Sequence, residues 1–160
     1  ELLFPDFSSA ERSFQLLHQI AGRVGRGHQV NNHVVIQTYN PESPAIESLM
    51  RGMDWSEFYA KELSERQQYG FPPFYHALKV EVARAKNYTA ESAIQAIADE
   101  LRATHSKIEL VGPSPSFIAK RNNQYHWQLI VKAKDRALLV EIARALPART
   151  TFDIDPLHLL

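Results

Sequence analysis

Gln19, Arg23 and Arg26 are the residues whose types and spacing are best suited to chemistry. They sit in the run Gln19-Ile20-Ala21-Gly22-Arg23-Val24-Gly25-Arg26-Gly27. Two arginines three apart, each preceded by a glycine, can aim two guanidinium forks at one polyanion. Arginine stays charged and grips phosphate in a planar, often bidentate way. Glycine removes side-chain bulk, so backbone and ligand can approach closely. The same run also reads as a helix ending in a glycine-rich cap with two solvated arginines. Lys120 and Arg121 are the next cationic group, in the polar loop Ala119-Lys120-Arg121-Asn122-Asn123-Gln124, with Lys132 and Lys134 downstream. Such a loop can hold a phosphate backbone without reading bases. A solvated hairpin tip is the competing account.

Other chemistry is poorly represented. Tyr125 and Trp127 could stack on bases, but they alternate in phase with Leu129 and Val131, which assigns them to a core face. His126 and Gln128 then point the other way, toward the surface. The seven histidines (18, 28, 33, 76, 105, 126 and 158) are scattered without metal-ligand spacing. Asp153 and Asp155 fall on one face of a final strand with no third acid near, and are expected to bond loops. No Ser-His-Asp arrangement or Gly-x-Ser-x-Gly elbow occurs.

The elements that must position these residues follow from patterning. Ser8 and Glu11 form a capping box for a helix whose stripe is Phe14, Leu17, Ala21 and Val24, and which Gly25 and Gly27 end. His33 to Tyr39 reads as a short buried strand. Ser43 caps a helix opened by Pro44 and stopped by Gly52. Asp54 and Glu57 cap another helix to about Tyr69, and Gly70-Phe71-Pro72-Pro73 breaks it. Ala77 to Ala83 alternates as a strand, and Thr89 to Thr104 is an amphipathic helix with Ala90, Ala93, Ile94, Ile97 and Leu101 inward. Ile108 to Val111 is a strand turned by Gly112-Pro113-Ser114-Pro115, and Tyr125 to Ala133 is the longest alternating strand. Asp135 to Leu146 is a helix, and Thr150 to Ile154 closes the chain. The order β-α-β-β-α-β is that of a split-βαβ sandwich, two helices on one antiparallel sheet, and the class is α+β.

Composition sets the outer bounds. With 44% apolar and 22% charged residues, the 160-residue chain suits a folded globular protein. No apolar run approaches the roughly 18–20 residues of a membrane span. Cysteine is absent, which excludes disulfides and thiolate zinc sites in this stretch. Eighteen basic residues balance eighteen acidic ones, so any nucleic-acid contact must come from a local patch. Starting at Glu1 without a methionine or leader, the chain is expected to be part of a longer protein.

The order Q-x-x-G-R-x-G-R resembles the last conserved motif of superfamily 2 helicases, whose arginines reach across a cleft to the γ-phosphate of ATP. Further stretches make the resemblance narrower: Pro5-Asp6-Phe7, Val35-Ile36-Gln37-Thr38-Tyr39-Asn40-Pro41-Glu42, Phe58-Tyr59, Pro72-Pro73-Phe74, Val111-Gly112-Pro113-Ser114-Pro115, Trp127-Gln128 and Asp153-Ile154-Asp155-Pro156. In this order they resemble the C-terminal end of the PriA family of bacterial replication-restart helicases. The resemblance implies residues 1–52 as the end of a RecA-like helicase lobe, 53–74 as a connecting helix and 75–160 as the C-terminal domain. It implies a 3′-to-5′ ATP-dependent DNA helicase of the cytoplasm that restarts stalled forks and begins primosome assembly. ATP and Mg²⁺ would be bound mainly by an upstream lobe, and zinc by an upstream insertion outside this segment. Arg26 becomes the candidate finger, Arg23 its partner, and Gln19 a sensor of the γ-phosphate or of water. Lys120, Arg121 and Lys132 become candidates for contacting DNA, forked, single- or double-stranded. Arg136 becomes the candidate for binding the terminal carboxylate of the single-strand-binding protein's acidic tail. Val140 stands where the family has a polar residue one turn later. Other primosome proteins are implied as partners, and no membrane. This stretch alone is expected to be inactive as an ATPase. The alternative is a stand-alone nucleic-acid- or protein-interaction module without an ATPase role.

Overall fold

The computed structural model describes residues 6–24 and 33–159. Arg26 lies outside the described residues, as do Gly25 and Gly27. Two compact units divide at Glu65 and Arg66.

The first unit is helical. α1 (Ser9–Val24), α2 (Pro44–Met50) and most of α3 (Trp55–Gln68) enclose Phe14, Ala45 and Phe58. The Phe14 and Phe58 rings stack at 4.0 Å, and Trp55 meets Phe14 edge-on at 5.0 Å. Aromatic pairs of this kind add to the stabilisation that burial already gives. Ser43 caps α2 as its sequence suggests, accepting from the Ile46 amide, and Asp54 accepts from the Glu57 amide at the start of α3. The strand expected over residues 33–39 is not formed: the described backbone there is irregular, and Val35 and Tyr39 are fully or nearly exposed. A strand is stabilised by cross-strand pairing, and no other strand lies among the described residues of this unit.

The second unit is a four-stranded antiparallel sheet with two helices on one face. β1 (His76–Arg84), α4 (Asn87–Thr104), β2 (Glu109–Arg121), β3 (Gln124–Ala133), α5 (Arg136–Ala145) and β4 (Thr150–Ile154) follow in order, and the sheet order is β2-β3-β1-β4. This is the expected split-βαβ arrangement. Alternation puts Leu78, Val80, Val82, Leu129 and Val131 on the helix face, where Ile94, Ile97 and Leu101 of α4 and Leu139 and Ile142 of α5 cover them. Trp127 packs against that core and donates its indole N–H to Asn87 at 2.9 Å.

Three local expectations change. Gly112-Pro113-Ser114-Pro115 does not turn the chain; β2 runs through it with a bulge between Val111 and Ser114. β2 is an edge strand, so prolines lacking an N–H cost no ladder bond on the open side. Gly112 is required there, because its φ is +100° and a Cβ would lie 3.1 Å from the Ser114 nitrogen. The loop around Lys120 is also tighter than expected. Arg121 pairs with Gln124, and Asn122 and Asn123, both at positive φ, make a two-residue hairpin turn. Finally, Asp155 lies beyond β4 at φ 54°, so Asp153 and Asp155 do not share a strand face.

Candidate functional site

Gln19 and Arg23 are four residues apart on α1, so they share a face, and both are exposed. With His18 and Gly22 they line an open concavity of about 570 Å³. Among the described residues nothing outside the helix's own backbone lies within 4 Å of where a Gly22 Cβ would stand. The Arg23 guanidinium makes no hydrogen bond or ion pair among the described residues. Leu16 and Ile20 are also half-exposed on this helix. The pair can therefore reach an anion held by other groups, but two such residues cannot enclose a nucleotide.

On the second unit, the helix-free face of the sheet carries a polar cluster that sequence reasoning missed. Glu81 of β1 accepts from Ser116 Oγ at 3.1 Å and from Arg121 Nη2 at 2.6 Å, and its Oε1 lies 3.0 Å from His126 Nδ1. Burial pushes this carboxyl up, but the hydrogen bonds from His126 and Ser116, with the charges of Arg121 and His126, outweigh it. The net effect holds Glu81 below its ordinary value. His126 and Gln128 do leave the helix face, yet both are buried, contrary to the surface position expected for them. Beside His126 the register shifts: four residues of β2, Ser116–Ala119, oppose it alone between the paired positions Pro115↔Trp127 and Lys120↔Tyr125. No local spacing signals this cluster, because its members meet only across strands.

The expected cationic patch separates into unlike parts. Lys120 is exposed, with its ammonium 5.0 Å from the centre of the Tyr125 ring. Arg121 is half-exposed while paired with Glu81. Lys132 is buried and not on an accessible surface. Its ammonium bonds Glu109 at 2.7 Å and the Tyr69 carbonyl at 2.9 Å, and lies 5.1 Å from the Phe71 ring centre. From Leu110 to Lys134 the chain contains no acidic residue, yet Arg121 pairs with Glu81 and Lys132 with Glu109, so two of the four cations in that stretch are already neutralised.

Arg136 opens α5, behind the cap that Asp135 provides to the Ala137 amide. Its Nε donates to Asp155 at 2.9 Å, and its side chain is half-exposed. Asp155 also accepts from the Ala77 amide and lies 3.0 Å from His76 Nδ1. Burial pushes Asp155 up, and the bonds from Arg136, His76 and Ala77 overcome it, leaving the carboxyl below its ordinary value. Val140, one turn after Arg136, is partly buried. Nearby, Tyr75, Lys107, Lys134, Leu138 and Glu141 line a concavity of about 490 Å³. Among the described residues no group of acids and histidines could hold a metal ion, and no helix is long and apolar enough to cross a membrane.

The family described as Primosomal protein N C-terminal domain matches residues 67–157, which takes in the whole sheet and both its helices. The chain belongs to that family. Relatives extend the likeness over the helical unit as well. A Replication restart protein PriA of Bacillus subtilis is 34% identical over 160 residues, 99% of this chain and 20% of its own length. That of Synechocystis is 35% identical over 159 residues, 96% of this chain and 19% of the relative. That of Treponema pallidum is 33% identical over 166 aligned residues, 98% of this chain and 25% of the relative. The chain thus spans about a fifth to a quarter of the length of these relatives. Among solved structures, a de novo designed protein, Foldit4, is 16% identical with a TM-score of 0.37, covering 50% of this chain and 92% of its own.

Proposed function

We propose that the chain is the C-terminal part of a superfamily 2 ATP-dependent 3′-to-5′ DNA helicase that restarts stalled replication forks in the cytoplasm and begins primosome assembly. The observation that carries this reading is Gln19 and Arg23 on one exposed face of α1, in a chain whose relatives are replication restart proteins along its whole length. ATP supplies the γ-phosphoryl group whose transfer needs charge neutralisation, and Mg²⁺ would come with it on a preceding lobe. Arg23 and Arg26 then supply cationic forks to that phosphate, with Arg26 as the finger, and Gln19 orients water or senses the γ-phosphate. These residues suit completing a nucleotide site and not enclosing one. Zinc belongs to the longer protein and not to this stretch.

In the same reading Lys120 and Arg121 hold the backbone of forked, single- or double-stranded DNA. Arg136 holds the terminal carboxylate of the single-strand-binding protein's acidic tail, alongside contacts with other primosome proteins. Its Nε bond to Asp155 fixes the guanidinium plane while leaving the terminal nitrogens for a carboxylate.

The chain by itself should release no phosphate from ATP, with or without DNA, and DNA-stimulated release from it would overturn the division of labour. Titrating the full-length protein with the tail peptide tests the second site. Arg136→Glu should weaken binding roughly ten- to a hundredfold, and equal affinities would remove Arg136 from it.

A further inference from the structure

The two carboxylate oxygens of Asp155 serve different elements. Oδ1 accepts from the Ala77 amide at 3.3 Å and lies 3.0 Å from His76 Nδ1, both at the start of β1. Oδ2 accepts from Arg136 Nε at 2.9 Å, in the first turn of α5. The backbone is committed as well. The Asp155 amide donates to the Ala77 carbonyl at 2.7 Å, and φ is 54°, uncommon for a residue with a side chain. Such a conformation persists where surrounding bonds over-determine it. His76, Asp155 and Arg136 therefore form one ordered row. All three stay within reach of solvent, Arg136 the most, with 55% of its side chain exposed.

Charge decides what this row does with an anion. Burial raises the Asp155 carboxyl, but the bonds from Arg136, His76 and Ala77 outweigh it, so it stays ionised through the neutral range. While His76 is neutral, Asp155 offsets Arg136, and an incoming carboxylate meets no net charge. Histidine is the side chain whose charge changes most readily between about pH 5 and 8. Nδ1 already faces Asp155, so the second proton is taken at Nε2, and the row becomes cationic. We propose that His76 is a proton-linked positioning residue of the Arg136 site: charging it occupies Asp155 and releases the Arg136 charge to a ligand carboxylate. Carboxylate binding and His76 protonation then favour each other to the same extent. The proposal rests on the reading of Arg136 as a carboxylate contact and adds its control by pH. Around His76, β3 offers Ala133, Lys134 lies 5.6 Å from the centre of the preceding Tyr75 ring, and Asp135 is engaged by the Ala137 amide. His158 is a second histidine in the segment that carries Asp155, and serves as a control.

The test is anisotropy of a labelled tail peptide of the single-strand-binding protein, titrated with the full-length protein between about pH 8 and pH 6 at constant ionic strength. Affinity should rise by about fivefold or more as pH falls across that range. His76→Gln keeps a donor for Asp155 and should hold affinity near its alkaline value at every pH. His158→Gln should leave the rise intact. Calorimetry in two buffers of different ionisation enthalpy should show proton uptake when the unaltered protein binds the peptide, a readout that needs no variant to fold. That uptake should be lost in His76→Gln. A pH-independent affinity in the unaltered protein, with Arg136→Glu still weakened, would overturn the linkage and leave the Arg136 reading standing. Arg136→Glu binding as tightly as the original at every pH would sink both. Equal weakening of His76→Gln at every pH, with proton uptake retained, would make His76 merely structural, against the proposal. A rise that vanishes in His158→Gln and persists in His76→Gln would also overturn it.

Discussion

Replacing Glu81 with alanine removes three bonds at once, and their worth can be built up separately. Arg121 is half-exposed, and an ion pair of that kind contributes at most about 1 kcal/mol. The Ser116 hydroxyl is buried, and its bond contributes about 1 kcal/mol. His126 matters most. Its ring is buried, its Nε2 has no hydrogen-bond partner among the described residues, and Nδ1 would lose the one it has. A buried polar group left unsatisfied costs about 1–3 kcal/mol. The expected loss is therefore about 2–5 kcal/mol, which lowers the Tm of a unit the size of Arg66–Leu160 by at least about 8 °C. Glu81→Gln keeps an acceptor for His126 and Ser116 and should lose about half as much. The charge has its own signature. Because the folded carboxyl lies below its ordinary value, the unfolded chain binds that proton more readily. The stability from Glu81 is present above the unfolded value and is lost as pH falls through the lower folded one. Urea melts from neutral to acid pH should show this loss in the original chain and a flatter curve in Glu81→Gln. A Glu81→Ala protein within about 0.5 kcal/mol of the original would refute the cluster as a structural tie.

Lys132→Met should cost about 1–3 kcal/mol, because the Tyr69 carbonyl loses its donor, and should leave the salt dependence of DNA binding unchanged; a reduced salt slope would restore Lys132 to the DNA surface. Neutralising Lys120 and Arg121 together should weaken duplex binding evenly across sequences and lower the log–log salt slope by about 0.9 per lost contact, and an unchanged slope would make the hairpin a solvated tip. Asp155→Asn should destabilise the sheet unit most clearly near neutral pH and little in strong acid, since its depressed carboxyl contributes only where it is ionised; equal loss at both extremes would mean that its charge is immaterial.

The core of the sheet unit was legible because burial on one face imposes a period on each element. Leu78, Val80 and Val82 alternate, and the Ile94, Ile97 and Leu101 stripe repeats at helical spacing, so local pattern and packing agree. The caps at Ser43 and Asp54 were equally legible, since a cap joins residues only three apart. Long-range register was not. Whether Pro113 turns a strand or sits in a bulge depends on which strand lies beside it, and only an edge position makes the bulge tolerable. His126, Gln128 and Lys132 occupy the non-core face in phase with the alternation, but their burial comes from distant segments that spacing does not reveal. The apolar run Val34-Val35-Ile36 has the composition of a buried strand, yet Val35 is exposed for want of strands to pair with among the described residues. Of the candidate arginines, Arg23 and Arg136 occupy helix positions that the periodicity anticipated.

The central claim is that Arg23 and Arg26 complete a nucleotide site on a longer helicase. The most direct measurement is ATP affinity and DNA-stimulated turnover, taken side by side on the full-length protein with Arg23→Ala and with Arg26→Ala. Turnover should fall by about 10³-fold or more in Arg26→Ala, less steeply in Arg23→Ala, with nucleotide affinity much less changed in both. Normal turnover in both variants would contradict the claim and leave the exposed face of α1 as a packing surface.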